Sequence, residues 1–139
     1  MALDATQANS MLTYMHGGGA PRTITGSRLR LLTAIGSASA NGTEVATGGG
    51  YVASTGSNPT AAGIALTWAA AAAQSQATNA VAQVTNYPRA EAVAAVEVWS
   101  TDATPGLRVE FGALQGGSKT MAAGDTLSFA SGAITSALA

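Results

Sequence analysis

Short segments in which apolar and polar residues alternate recur along this chain, and glycine-rich turns separate them. Within residues 93–99, for example, Val96 and Val98 alternate with Glu97 and Trp99. An alternation with period two places the two sets of side chains on opposite faces of a β-strand. Successive segments begin roughly ten residues apart, which is typical of antiparallel sandwiches and barrels. We therefore predict a mainly β fold, either an antiparallel β-sandwich or a jelly-roll-like barrel, with a short N-terminal helix.

The most regular alternation consists of Leu107, Val109 and Phe111, with Arg108 and Glu110 between them. This pattern predicts a strand that has one apolar face and one solvated polar face.

Residues 29–35 are predicted to form a half-buried strand, with Leu29 and Leu31 on one face and Arg28 and Arg30 on the other. The Ala-rich residues that follow Trp68 show no apolar helical face, so we predict a loop there and a strand after it. The shorter predicted strands are residues 51–53, 64–68, 80–85, 127–129 and 134–138.

The first fifteen residues have the pattern of a helix. Asp4 is a suitable N-cap, and Met11, Leu12 and Met15 recur at helical spacing on one face. A run of three glycines at residues 17–19 is expected to end the helix. The chain then divides into an N-terminal helix or arm with a glycine hinge, residues 1–20, and a single β domain, residues 21–139.

Two interpretations of this helix are open. Its apolar face can pack on its own domain, or the helix can be an arm that docks on a neighbouring subunit, a role that suits a glycine hinge. In the second interpretation, Met11, Leu12, Tyr14 and Met15 are predicted to form the interface.

Large apolar side chains are scarce in this chain. Of its 139 residues, 24 are Leu, Ile, Val or Phe, whereas 32 are Ala. Burying a Leu-sized side chain contributes roughly 1.5–3 kcal/mol and burying Ala far less, while ordering the backbone of one residue costs about 1–2 kcal/mol. A core built from so few large groups is thin. We therefore expect part of the stability to come from association with copies of the chain or with a larger assembly.

Charge and composition exclude several classes of function. Six basic and seven acidic residues leave a net charge of −1, and the arginines are scattered, so no basic patch for nucleic acid is predicted. No apolar run is long enough for a transmembrane helix, and the N-terminus lacks the basic and apolar regions of a secretory signal. The absence of Cys excludes disulfides and thiolate metal sites. We expect neither nucleic acid nor a membrane as a partner.

No arrangement of residues in the sequence predicts a catalytic, metal or cofactor site. The single histidine, His16, lies beside the glycine hinge, and no Ser has the sequence surroundings of a nucleophile. Asp102 and Asp125 lack the spacing of calcium ligands and suit turns better. We expect Trp68 and Trp99 to pack in the core.

Glu97 and Glu110 are the one candidate pair of carboxylates, because they are predicted on neighbouring strands. We expect instead that both lie on solvated strand faces, with Arg108 nearby to balance their charge.

An ordered series of motifs occupies the second half of the chain. It comprises residues 96–100 (VEVWS), 104–114 (TPGLRVEFGAL) and 119–134 (KTMAAGDTLSFASGAI), and it is preceded by a short helix, a strand at residues 29–33 and Gly49-Gly50-Tyr51. In this order the motifs resemble a small family of tailed-bacteriophage virion proteins, whose members are capsid decoration, minor capsid or tail-fibre-like proteins.

The resemblance implies a non-enzymatic structural component of the virion. We expect it to be made in the host cytoplasm and to decorate or cement the capsid surface as a homotrimer, with the major capsid protein as partner. Many copies would each bury a small area across capsomer junctions and act together by avidity. The alternative is a tail fibre or minor tail protein that attaches to the host, with exposed Trp68, Trp99 or Tyr51 binding glycans.

Overall fold

The computed structural model describes residues 1–19, 24, 26–54, 62–73, 75–101 and 106–137. Within them the mainly β prediction with a short N-terminal helix is confirmed, whereas the described strands form no closed barrel. In chain order the elements are β1 (Ala2–Leu3), α1 (Ala5–Met15), β2 (Ser27–Ala34), β3 (Thr43–Glu44), β4 (Ile64–Leu66), β5 (Ser75–Ala77), β6 (Ala82–Val84), β7 (Glu91–Val93), β8 (Ala95–Ser100), β9 (Arg108–Ala113), β10 (Lys119–Met121), β11 (Leu127–Phe129) and β12 (Thr135–Ala137).

The largest sheet has six strands, and β2 is at its centre. β8 pairs with β2 along one edge, and β9 and β1 continue the sheet on that side. Along the other edge, β4 pairs with the beginning of β2 and β3 pairs with its end. All of these pairings are antiparallel, so β2 has hydrogen-bonding neighbours along both of its edges.

The remaining strands form three two-stranded ladders that belong to one long antiparallel ribbon. β5 pairs with β12, β6 with β11 and β7 with β10, and the hairpin of β8 and β9 lies at the end of the ribbon. Backbone hydrogen bonds from Gly132 to Thr78, from Tyr87 to Asp125 and from Leu114 to Ala94 span the gaps between these pairings. Residues 75–101 and 106–137 therefore run antiparallel to each other as far as they are described.

One hydrophobic core joins the large sheet to the ladders. Leu29 and Leu31 of β2 share a face with Val96 and Val98 of β8, and all four are at most 5% exposed. Leu66 of β4 and side chains from the ladders and connecting loops complete the cluster: Val45, Tyr51, Ala82, Val84, Tyr87, Val93, Met121, Leu127 and Ile134. The ladders thus pack on one face of the sheet as a second layer, as in a sandwich.

The prediction that β2 is half-buried is wrong, because both of its faces are covered. Arg30 and Leu32, on the face away from the core, are 9% and 0% exposed. The loop at residues 36–42 passes so close to this face that a Cβ at Gly42 would overlap the Leu32 side chain. Ile35 is 50% exposed, since the strand ends one residue earlier.

A β-bulge overturns the alternation that the sequence predicts for β9. Consecutive residues of β8 pair with Glu110 and Arg108, which leaves Val109 as the extra residue of the bulge. Arg108 and Phe111 consequently share one face, where the guanidinium lies 4.8 Å from the ring centroid. Arg108 and Glu110 are each 4% exposed, so the prediction of a solvated face for them is also wrong.

The shorter predicted strands have different outcomes. The strands predicted at 64–68 and 80–85 are confirmed by β4 and β6, whereas the loop predicted between them also contains β5. Residues 51–53 form no strand, because Tyr51 makes only an isolated bridge with Gly48. The last strand is confirmed as β12, while Leu138 and the turns predicted at 58–59 and 104–105 lie outside the described residues.

Tyr51→Phe is expected to lower the free energy of unfolding by about 1–3 kcal/mol. The Tyr51 hydroxyl accepts a hydrogen bond from the backbone N–H of Leu31 at 3.0 Å and donates one to Glu44 at 2.8 Å, and the side chain is 1% exposed. Removing the hydroxyl leaves a buried N–H of the central strand without its partner. Chemical denaturation measures the loss. Tyr14→Phe is the control, since Tyr14 is 54% exposed, and an equal effect of the two substitutions would contradict this account.

Candidate interaction site at the N-terminal helix

Helix α1 begins and ends where the sequence predicts. Asp4 is the N-cap, and its carboxylate accepts a hydrogen bond from the backbone N–H of Thr6 at 2.8 Å, which satisfies one of the free donors at the start of a helix. The helix ends at Met15, and Gly17 then adopts a φ of +84°, a left-handed conformation that favours glycine. Local sequence therefore accounts for both ends.

The two halves of α1 differ in exposure. In the first half, Gln7 is buried and Met11 is half-buried. In the second half every residue is exposed, and the large apolar side chains of Leu12, Tyr14 and Met15 are 52%, 54% and 72% exposed. We call residues 12–16 the helix tip. The tip lies beyond the surface on which the first half of the helix packs.

The four residues nominated as an interface are therefore not equivalent. Met11 packs partly on its own domain, whereas Leu12, Tyr14 and Met15 are each exposed on the helix tip. Packing of the whole Leu/Met face on its own domain, the first interpretation of the helix, is not what the structure shows.

One buried guanidinium holds the base of α1 to the sheet. Arg108 donates Nε and Nη2 to Asp4 at 3.0 and 2.8 Å, and it donates Nη1 to Glu97 at 3.0 Å. It also donates to the carbonyl oxygens of Ser37 and Ala40 in the 36–42 loop, at 2.5 and 2.6 Å. These bonds use all five N–H donors of the guanidinium, and two carboxylates balance its charge.

Asp4 joins the helix to the sheet through both its side chain and its backbone. The backbone N–H of Asp4 donates to the carbonyl of Val109 at 2.8 Å, and that of Ala5 donates to Ala38 at 3.1 Å. Burial by itself would raise the pKa of Asp4, but hydrogen bonds from Arg108 and Thr6 outweigh it and hold the pKa below its ordinary value of 3.8. The carboxylate is therefore held in its charged form.

Glu97 extends this network under the loop. Its carboxylate, 1% exposed, accepts hydrogen bonds from Arg108, from the backbone N–H of Gly42 at 2.7 Å and from the Trp99 indole at 2.9 Å. The guanidinium of Arg30 lies 3.6 Å from the centroid of the Trp99 ring, a cation–π contact. A face that sequence reasoning assigned to solvent is thus a buried polar layer.

Glu110 lies on the other face of the sheet, opposite Val98 on the core side. It is 4% exposed, and the Ser136 hydroxyl donates a hydrogen bond to it. Burial nevertheless raises the pKa of Glu110 above its ordinary value. Because Glu97 and Glu110 lie on opposite faces, they cannot flank one substrate as a carboxylate pair, and neither is solvated as predicted.

The other residues weighed for chemistry are not brought together. His16 is exposed at the C-cap of α1, Asp125 accepts a hydrogen bond from Ala122 within a turn, and Asp102 lies outside the described residues. Trp99 is 8% exposed, and Trp68 packs against the core and donates its indole N–H to Ser27.

The described ranges contain no group of three or more His, Cys, Asp or Glu residues placed to hold a metal ion. Among the same residues, no helix has the length and apolar character needed to cross a membrane.

Sequence reasoning missed the role of Arg108. It placed Arg108 near the glutamates, and the ion pair with Glu97 agrees with that part, but the partner that matters for the helix is Asp4, more than a hundred residues earlier in the chain. The available signal is an N-cap Asp together with an Arg in an apolar strand. Neither feature reveals that Asp4 and Arg108 pair, because nothing in the local sequence marks the β-bulge that orients Arg108.

No protein-family model and no curated protein sequence matches this chain.

Asp4→Asn is expected to lower the free energy of unfolding at neutral pH by about 1–3 kcal/mol, since Asn remains a good N-cap but cannot pair with the charge of Arg108. Because the folded-state pKa of Asp4 is lowered, the stability it contributes is present above pH 3.8 and is lost as pH falls through the folded-state pKa. The difference between the two proteins should therefore shrink in acid. Asp125→Asn is the control, and a pH-independent difference for Asp4→Asn would contradict the ion-pair explanation.

Glu110→Gln is expected to raise the free energy of unfolding at neutral pH. Since the folded-state pKa of Glu110 is raised above 4.5, its charge penalises the folded state, and the penalty grows as pH rises above 4.5. Gln keeps an acceptor for Ser136 and carries no charge. Thermal unfolding should show no gain at or below pH 4 and an increasing gain above it, whereas Glu97→Gln should be destabilising because it breaks the pair with Arg108. A loss of stability in Glu110→Gln at neutral pH would show that the account is wrong.

Proposed function

We propose that this chain is a non-enzymatic structural protein of a tailed-bacteriophage virion that decorates or cements the capsid surface as a trimer, with the major capsid protein as partner. The observation that carries the proposal is the helix tip, an apolar projection on a firmly held base. The motif series in residues 96–134 supports the same assignment.

The helix tip has the properties of a docking element. Residues 5–15 include no charged side chain, and an isolated helix of this length is marginal in water. The contacts of Asp4 with Arg108 and Val109 order its base in advance, so less conformational entropy is lost when a partner covers the tip. An uncharged apolar element of this kind fits a protein surface and does not fit nucleic acid.

The cementing mechanism follows from many small contacts acting together. One tip offers few side chains, and a single contact of this size is weak. When each subunit is bound to a closed shell at several points, each contact that forms raises the effective concentration of that subunit at its other binding points. The scarcity of large apolar side chains supports the same mechanism, because burial between subunits adds to a thin core.

The charged residues of the described chain support a structural role. Every donor of Arg108 is used within the protein, Glu97 accepts three hydrogen bonds, and Glu110 lies on the opposite face of the sheet. Arg108 and Glu97 hold the fold, and Glu110, which lines a cavity of about 210 Å³, faces away from both of them.

The tail-attachment alternative depends on exposed aromatic side chains that would stack on host glycans. Tyr51 and Trp99 are 1% and 8% exposed, and the hydroxyl and indole groups of both are bonded internally. Trp68 is half-buried and also bonded. These observations favour the capsid over glycan binding.

Leu12→Asp is expected to reduce the number of copies bound per purified virion without changing the stability of the isolated protein, because Leu12 is 52% exposed. Quantitative mass spectrometry of purified virions, with an electron microscopy reconstruction of the heads, measures the copy number. Val81→Asp is the matched control, since Val81 is 57% exposed and lies outside α1. A few copies per particle that are lost with the tails, or none at all, would overturn the proposal.

A further inference from the structure

A cavity of about 210 Å³ lies between the large sheet and the ladder formed by β5 and β12. Its walls include Val98 and Val109 from the sheet, with Trp68 and Gln76 from outside that sheet. Its acidic group is Glu110, which lies on the core face of β9. A cavity of roughly 150 Å³ holds a benzene molecule, so this one has room for a ligand of about six to ten non-hydrogen atoms. We call it the Glu110 cavity.

The carboxylate of Glu110 has no counter-ion in contact with it among the described residues. It is 4% exposed, accepts a single hydrogen bond, from the Ser136 hydroxyl, and belongs to none of the ion pairs. The terminal amino group attracts it through space and lowers its pKa, but burial outweighs this attraction and leaves the pKa above its ordinary value. A buried charge without a partner is unfavourable in the folded chain. A positively charged ligand in the cavity would relieve that cost.

The position of Glu110 has the marks of a binding group. The bulge in β9 turns Glu110 to the core face while Arg108 faces the opposite side, and bulges commonly re-aim side chains beside active sites. The charge of Glu110 lowers the stability of the fold, and local rules are broken in this way most often at functional sites. A perturbed titratable group that lines a cavity is a candidate of the same kind.

The rest of the lining selects the kind of cation. Glu110 is the one carboxylate of the described lining, whereas a hard metal ion such as Ca²⁺ takes six or more oxygen ligands. Val98, Val109 and the Trp68 side chain offer hydrocarbon and an aromatic ring instead. Such walls favour an apolar ligand body, and aromatic rings also attract organic cations. An ammonium group on a small hydrocarbon body matches both the charge and the walls.

Two groups of the cavity are held in place before any ligand enters. The Trp68 indole N–H donates to the Ser27 hydroxyl at 2.7 Å, and the Ser136 hydroxyl donates to Glu110. Because these side chains are already ordered, little conformational entropy is lost when a ligand binds.

We propose that the Glu110 cavity binds a small organic ammonium ion, with the ammonium group against the Glu110 carboxylate and the hydrocarbon body against Val98, Val109 and Trp68. This inference goes beyond the proposed function and does not depend on it, since the described lining of the cavity includes no residue of the helix tip.

Benzylammonium is a probe of suitable size, and benzyl alcohol is its neutral counterpart of nearly the same shape. In proton–nitrogen NMR spectra at neutral pH, benzylammonium should shift the indole N–H resonance of Trp68. It should leave that of Trp99 unchanged, because Trp99 bonds to Glu97 on the other face of the sheet. Benzyl alcohol should bind at least about tenfold more weakly, because it cannot pair with the carboxylate. Equal affinities for the two compounds, or no shift of the Trp68 resonance, would overturn the proposal.

Glu110→Gln gives a second arm, since this variant is expected to be more stable than the wild-type chain at neutral pH. It should weaken benzylammonium binding at least about tenfold and leave benzyl alcohol binding unchanged. The matched control is Glu91→Gln, which removes the same charge from a residue outside the described lining of the cavity. Equal weakening by the two substitutions, or none by Glu110→Gln, would contradict the proposal. The comparison of the two compounds in the wild-type chain decides independently of both variants.

A free amine and a lysine side chain of a partner protein both present an ammonium group on hydrocarbon. N-acetyl-lysine amide carries this group on a peptide backbone and therefore distinguishes the two sources. We expect it to bind more weakly than benzylammonium, because its backbone must stay outside a cavity of this size. Tighter binding of N-acetyl-lysine amide would overturn the assignment to a free ligand.

Discussion

A single buried guanidinium bonds the N-cap of α1 and the 36–42 loop to the paired strands β8 and β9. Arg108 lies on β9, and its five donors reach the helix cap at Asp4, the neighbouring strand at Glu97 and the loop carbonyls of Ser37 and Ala40. A buried charge is tolerated only when it is paired and fully hydrogen-bonded. Each of these parts supplies hydrogen-bond acceptors to the Arg108 guanidinium and is held in place by it. The same hydrogen bonds set the direction in which α1 leaves the sheet.

The two faces of the sheet are covered by different chemistry. The core face, with Leu29, Leu31, Val96 and Val98, is closed by the ladders. The other face is closed by a polar layer in which Glu97 is central. A chain with few large apolar side chains lacks the means to cover both faces with hydrocarbon, and hydrogen-bonded loop backbone takes its place. Small residues such as Gly42 permit this, because the backbone can approach the sheet closely.

Much of the fold follows from local pattern, and much of the candidate site does not. The helix, its cap at Asp4 and the alternation of Val96 with Glu97 were all predictable, since each depends on residues within one turn or one strand. The burial of Arg108 and Glu110 was not, because a bulge at Val109 shifts the register and the covering loop comes from another part of the chain. The exposure of Leu12 and Met15 was open as well, as an apolar helical face looks the same whether its partner is the chain itself or a neighbour.

Period-two and helical spacing, which act between near neighbours, were enough to establish a mainly β chain with a capped N-terminal helix. Long-range contacts established the remainder: which carboxylate pairs with Arg108, which face of the sheet holds each glutamate, and how far α1 extends past its support. The physical reason is that the energy of a buried charge depends on every group around it, and those groups come together only when distant segments have packed.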